Sequence, residues 1–496
     1  MTGQLPEVLG EVGDSMPPAR LTPDVWRRGR RARRRSRLLR AGAAAVLVLL
    51  VALALPWALD RPYPLSSTVG DGGPAVPARL SLPWMWQATV QMDPPGPASV
   101  LFGGDSIGLR GTDIFDSEGK LAVVGRDGDY RMLLYAGWDS IAAGENALLA
   151  PDGTRVAQSY LEGSGFEADN GVTIVDLTTG RSSQHGAGQG LDCCAPVAWA
   201  PDGRSLLVAV SGADEVVDER TGMIRRPERL ALLDLATDTL LPLRDFTPAR
   251  AVRSASRAAF APDGQTVAVT EGETVRLVDR AGRLRWSAEL GDRTYLAGIG
   301  AFSPDGTRIA TVTLDGCLDE CDEAALAARR WSVGFLDAAT GRPLPGPGFP
   351  VVTGSAVRAL GWAGGRELVV LRYEPEHFAQ KTRDREWNDT GWYETGHVTL
   401  LALAPDGATR TLLDPPDDVL TMDVAQDLLT ADRFGGPSPT AAMFPARDII
   451  WVAAVPAACL AVVLGLVALA VVRAIRRRQR VQWKSGGIPP GRGKAA

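Results

Sequence analysis

A chain of 496 residues that is 45% apolar can bury a large core, and its 55 glycines and 35 prolines supply many turns. The net charge of −5 conceals a division: residues 1–40 carry ten arginines against four acids, residues 473–496 carry eight lysines and arginines and no acid, and the stretch between holds 35 basic against 54 acidic residues. An acidic middle excludes nucleic acid as its partner, because a phosphate backbone is bound by cationic surfaces.

Residues 1–40 read as a basic cytoplasmic tail ending in the run from Trp26 to Arg37. Ala41 to Leu59 carries no charge and is long enough to cross a bilayer. Ala52-Leu53-Ala54 is a competing signal-peptide cleavage site, but the apolar run continues past it. Residues 60–83 are rich in Pro, Gly and Ser and form a linker; residues 435–448 form a second. A second uncharged span runs from Ile449 to Val472 and is followed at once by Arg473, Arg476, Arg477, Arg478 and Arg480. Both spans keep their arginines on the side away from the middle domain. The positive-inside rule then places both termini (1–40 and 473–496) in the cytoplasm and residues 60–448 outside it, anchored in the cell membrane.

The middle domain, residues 84–434, is organised by a recurring turn behind a short apolar strand. The turn is Pro151-Asp152-Gly153, then Pro201-Asp202-Gly203, Pro262-Asp263-Gly264 and Pro304-Asp305-Gly306, each preceded by Ala or Ser. Pro presets φ for a type I turn, Asp bonds its own backbone, and Gly takes the positive φ that ends the turn. A polar pair and an apolar run follow each one, as in Gln265-Thr266-Val267-Ala268-Val269. A second signature follows: an alternating strand, an acid and another turn, as in Val172-Thr173-Ile174-Val175-Asp176 and Val333-Gly334-Phe335-Leu336-Asp337. Each unit is therefore two hairpins, four strands, at a spacing of 42 to 61 residues between turn aspartates. In a sixth unit, Trp362-Ala363-Gly364-Gly365 stands at the first turn and Pro405-Asp406-Gly407 at the second.

Four-stranded units at this period are the blades of a β-propeller. The aromatic-Ser/Ala-Pro-Asp-Gly turn resembles the TolB-type, WD40-like propellers of bacteria, and the resemblance covers roughly residues 84–434. It implies an all-β ring and says little about activity. The blade count is six or seven. Seven is favoured if Asp113–Gly137 forms one blade and an N-terminal hairpin, Trp84–Phe102 with its turn at Asp93-Pro94-Pro95-Gly96, joins a C-terminal hairpin, Val419–Ala431, to form another.

Within a blade the first and third connections are tight, so the long second connections decorate one rim. Insertions in repeat folds gather on binding faces. The longest, Tyr373–Gly396, mixes Tyr373, Phe378, Trp387, Trp392 and Tyr393 with arginines and acids, an interface composition. That rim is the expected partner face, opposite the Pro-Asp-Gly turns. In another long connection, Asp322 to Arg330 has acids first and arginines last and predicts a short helix.

Chemistry-bearing residues are sparse. Cys317 and Cys321 sit four apart in an exported loop; a disulfide is favoured over metal or free thiols in an oxidising compartment. Cys193-Cys194 is a vicinal pair whose bonding is open, and Cys459 lies in the second span. Gly104-Asp105-Ser106-Ile107-Gly108 matches a nucleophile-elbow pattern but sits among strands. His185, His377 and His397 show no metal-ligand spacing, and no cofactor motif is present. The sequence thus points to a non-catalytic interaction or sensing module binding a protein or envelope component. The alternatives are a propeller hydrolase or lyase, or a structural part of an envelope complex.

Overall fold

The computed structural model describes residues 73–438, apart from 84–86, 105–119, 134–141, 163–168, 187–191, 212–215, 218–223, 226–227, 247–257, 319–320, 376–394 and 418, together with part of 459–474. The Pro-Asp-Gly turns form as their chemistry requires. Asp152 accepts from the Thr154 amide at 3.0 Å, Asp202 from Arg204 at 2.9 Å, Asp263 from Gln265 at 2.8 Å and Asp305 from Thr307 at 3.0 Å. Gly153, Gly203, Gly264 and Gly306 take φ of 71°, 64°, 67° and 69°, which a side chain would strain. Asp176 and Asp337 close the second turns in the same manner, each accepting from a Thr hydroxyl and backbone amides.

The hairpins assemble into six antiparallel blades. Blade 1 contains β1 (Ala98–Gly104), β2 (Lys120–Gly125) and β3 (Tyr130–Leu133); blade 2 contains β4 (Ala147–Leu149), β5 (Arg155–Glu162), β6 (Asp169–Asp176) and β7 (Ser182–His185). Blade 3 is β8 (Asp192–Trp199), β9 (Ser205–Ser211), β12 (Glu228–Asp234) and β13 (Thr239–Phe246), with a hairpin of β10 (Val216–Val217) and β11 (Ile224–Arg225) between its middle strands. Blade 4 is β14 (Ala258–Phe260), β15 (Thr266–Glu271), β16 (Thr274–Asp279) and β17 (Leu284–Glu289). Blade 5 is β18 (Thr294–Leu296), β19 (Arg308–Asp315), β20 (Arg330–Asp337) and β21 (Pro343–Leu344), with β22 (Val352–Thr353) also on β20. Blade 6 is β23 (Ala356–Ala363), β24 (Glu367–Pro375), β25 (Thr395–Leu403) and β26 (Thr409–Leu413).

The ring closes on blade 1, whose innermost strand, β27 (Thr421–Val424), comes from the C-terminal side of the domain and pairs with β1. This corrects the favoured count of seven. The register Phe102↔Ala122 joins the second half of the N-terminal stretch to the segment expected to be a blade of its own. The first half does not return against β1. Residues around Thr89 lie parallel to β3 on its outer side, with Val90 donating to Met132 at 3.0 Å. The C-terminal stretch supplies one strand and then a helix, α2 (Gln426–Thr430), not a hairpin. Two expected blades thus collapse into one.

Burial falls from axis to rim. All eight residues of β23 are buried, and its small side chains (Ala, Gly) let six strands converge, whereas β7 and β17 are largely exposed and polar. Aromatic indoles lock neighbouring blades: Trp199 donates to Leu148 at 3.1 Å and Trp362 to Gly300 at 3.1 Å.

Where the chain joins the ring, the Val76 amide donates to Arg433, Gly436 to Val76, and Ala78 to Gly436, at 2.9 to 3.0 Å. Among the described residues no helix is long and apolar enough to cross a membrane. The expected span 41–59 lies outside those residues. Of the second span, the described residues are helical, with Val463, Leu464, Val467 and Val471 exposed.

Candidate functional site: the channel of the ring

Six inner strands surround the ring's axis, and two charged residues on them, Arg358 and Asp423, are buried. Arg358 of β23 is 1% exposed. Its Nη1 donates to the Gly144 carbonyl at 2.7 Å and its Nη2 to Met422 at 2.7 Å and Ala143 at 3.3 Å; its Nε donates to the Tyr373 hydroxyl at 3.0 Å. The Tyr373 hydroxyl donates in turn to Glu145 at 3.1 Å. One guanidinium therefore ties blade 6 to the closing strand and, past it, to the segment leading into blade 2. Burial by itself would lower its pKa; Tyr373, Glu145 and Asp423 outweigh that and hold it above the usual range. Gly144 has φ of 77°, and a Cβ there would stand 2.3 Å from Arg358 Nη1, so the position must be glycine for the guanidinium to pass.

The second residue is Asp423 of β27, 1% exposed. It accepts from the Leu149 amide at 3.0 Å and from the Val424 amide at 2.9 Å. Burial pushes its pKa up, although the Arg358 charge and both amides pull the other way.

Beyond Asp423, toward the Pro-Asp-Gly turns, lies a cavity of about 460 Å³. Each repeat contributes the residue before its Ala/Ser-Pro and the proline itself. Leu149, Trp199, Phe260 and Phe302, with Trp362 from the sixth unit, form the wall, and Pro151, Pro201, Pro262 and Pro304 form the mouth. Asp423 lies in the floor. Blade 1 has no such turn because its inner strand arrives from the other end of the domain. There α2 fills the gap and presents Gln426, Asp427 and Thr430 to the cavity. Gln426 donates to Leu360 at 2.7 Å, and the Asp427 amide donates to Pro151 at 3.1 Å. Arg126 pairs with Asp427 at 2.6 Å.

The sequence expectation looked to the opposite rim. Of its residues, Tyr373 is fully buried in the Arg358 cluster, which removes it from any partner surface. Phe378, Trp387, Trp392 and Tyr393 lie outside the described residues. Cys317 and Cys321 form a disulfide with Cα atoms 6.0 Å apart. Beside it is the short helix α1 (Glu323–Ala327), capped by Asp322. Arg329 is buried beneath and donates to Cys317 at 2.7 Å, Leu318 at 3.2 Å and Ser355 at 2.9 Å. Cys194 is disulfide-bonded as well. Gly104 ends β1, and the rest of the elbow-like motif lies outside the described residues. His185 contacts Ser183 and Asp238, and His397 contacts Asp414, both on the exterior. No cluster able to hold a metal ion occurs among the described residues.

Fold and site together define a six-bladed propeller in which Arg358 ties blade 6 to the closing strand and a cavity lies among the turns. Solved structures that it resembles include TolB from Acinetobacter baumannii (15% identity, 67% of this chain and 66% of that one, TM-score 0.37). They also include an oligogalacturonate lyase in complex with manganese (13%, 67% and 78%, TM-score 0.36) and a putative dipeptidyl aminopeptidase IV from Bacteroides ovatus (12%, 60% and 45%, TM-score 0.33). The chain thus spans just under two thirds of the TolB it resembles. No protein-family model and no curated relative matches the chain.

Proposed function

We propose that the protein is a membrane-anchored recognition module that holds a polypeptide partner in the cavity among its Pro-Asp-Gly turns. The observation that carries this is the cavity's composition. Its described lining has aromatic and proline walls, three carboxylates, an amide and a hydroxyl, but no histidine, cysteine or lysine. Apolar walls with a few convergent polar groups suit binding. Nucleophilic acyl transfer by a cysteine or by a histidine-activated hydroxyl would call for residues that this described lining does not offer.

In this reading residues 41–59 and 449–472 are the anchors, both tails are cytoplasmic, and the ring stands outside. The arginines flanking both apolar runs support it. The pairing of residues 76–78 with 433–436 is compatible with it, since it brings the two flanks to one place on the ring.

A photo-crosslinking amino acid at position 430, inside the cavity, should capture a partner in living cells. The same group at exposed position 284, on the outer strand of blade 4, should not. Equal adducts from both positions would defeat the cavity assignment. Protease digestion of spheroplasts should spare tags at both ends; a tag removed from outside would defeat the topology.

A further inference from the structure

Given that the cavity is the binding site, its chemistry specifies what enters it: we infer that the occupant is a cationic side chain, arginine or lysine, on the partner polypeptide. The charged residues of the described lining are all acidic. Asp152 and Asp427 lie at the mouth and Asp423 in the floor, and no arginine, lysine or histidine is among the described lining. The repeat enforces this, because each lining proline is followed by its turn aspartate. Asp202, Asp263 and Asp305 stand one residue beyond those prolines, outside the lining itself. Asp152, Asp263 and Asp305 bond to their own turns. The Ser303 hydroxyl and then the Thr307 amide hold the Asp305 carboxyl below its usual pKa, so it stays ionised.

The neighbouring cations stand outside the cavity. Arg126 engages Asp427, and Arg280 lies 3.8 Å from Asp202. Four aromatic rings line the wall, and an aromatic face attracts a cation. Trp199 already does so: the guanidinium carbon of Arg155 lies 5.2 Å from its ring centroid. A long aliphatic stem can lie along the prolines while its charged head reaches the carboxylates. An acidic or purely apolar side chain would leave those carboxylates facing a like charge or a dry surface, at a cost in either case. A polypeptide is favoured over a free cation because the mouth is ringed by turns and carboxylates that engage residues on either side of the inserted one.

The test pans a phage-displayed random peptide library against the full-length chain in detergent micelles. Enriched peptides should share an arginine or lysine, and Thr430→Trp, which fills the cavity, should abolish their binding. Replacing that arginine by neutral citrulline (or the lysine by norleucine) should weaken binding roughly tenfold or more to the wild type. The same replacement should cost much less on the Asp152→Asn/Asp427→Asn variant, whose side-chain oxygens still serve the turn and helix. A consensus without basic residues, or a neutral peptide that binds as well as the cationic one while Thr430→Trp still blocks it, overturns the cation and leaves the cavity assignment standing. Enriched peptides that ignore Thr430→Trp, or no enrichment at all, overturn both.

Discussion

Arg358→Met is the sharpest test of how the ring is closed. Methionine fills much of the same volume without charge. It removes four hydrogen bonds, to Gly144, Ala143, Met422 and Tyr373, and the cation facing Glu145 and Asp423. Removing one partner of a buried charge network costs about 3–5 kcal/mol, because the groups left behind stay desolvated. That is a large part of the roughly 5–15 kcal/mol that holds a folded domain together. Urea unfolding of the full chain followed by tryptophan fluorescence should show a loss of this size. Hydrogen exchange should quicken first at Thr421–Val424, the strand the guanidinium clamps. Arg358→Lys keeps the charge, but a compact ammonium cannot serve three carbonyls and a hydroxyl at once, so about half the loss should remain. A loss below about 1 kcal/mol for Arg358→Met, or unchanged exchange in β27, would refute the role of the residue as the clasp.

Three further outcomes follow from the same geometry. Gly144→Ala should destabilise by more than about 2 kcal/mol, combining a positive-φ penalty with overpacking against Arg358, whereas Gly365→Ala, at φ 72° with open space around it, should cost only the backbone term; equal losses would contradict the close approach. Burial raises the folded pKa of Asp423 above its unfolded value, so its contribution to stability is complete below the unfolded value and is lost as pH rises through the folded one. The stability of wild type relative to Asp423→Asn should therefore fall with rising pH, measured by urea midpoints across a pH series, and a flat difference would refute it. Opening the Cys317–Cys321 disulfide by Cys→Ser at both positions should cost no more than roughly 2 kcal/mol, the loop-closure entropy of so short a ring, with a melting curve as the readout; a larger loss would mean that the Arg329 bonds to Cys317 and Leu318 depend on it.

The hairpins were legible because their signals are local. Pro, Asp and Gly each act within four residues, and the hydrogen bonds of Asp152, Asp263 and Asp305 are those a type I turn calls for. The helix at Glu323–Ala327 was legible for the same reason, through Asp322. The blade count was not. Thr421-Met422-Asp423-Val424 carries no turn motif, and its partner lies more than 300 residues away. The cavity escaped notice because Trp199, Phe260 and Phe302 read equally well as packing between blades, a role that Trp199 also fills. A signal was nonetheless present. Arg358 and Asp423 are single charges in otherwise apolar or small inner strands, and a lone charge in such a strand requires a partner across the ring. Tyr373 was misjudged because it was grouped with the loop after it, when it belongs to the strand β24 before it.

The short pairing of residues 76–78 with 433–436 has a mechanical consequence. The two segments run parallel. Tension on the flanks draws one toward its upstream end and the other toward its downstream end, so the bonds between them are loaded together in shear and not peeled one at a time. Everything from residue 79 to residue 432 lies inside the loop that this clamp closes. While the clamp holds, load passes from one flank to the other without crossing the blades, and the cavity keeps its shape under strain.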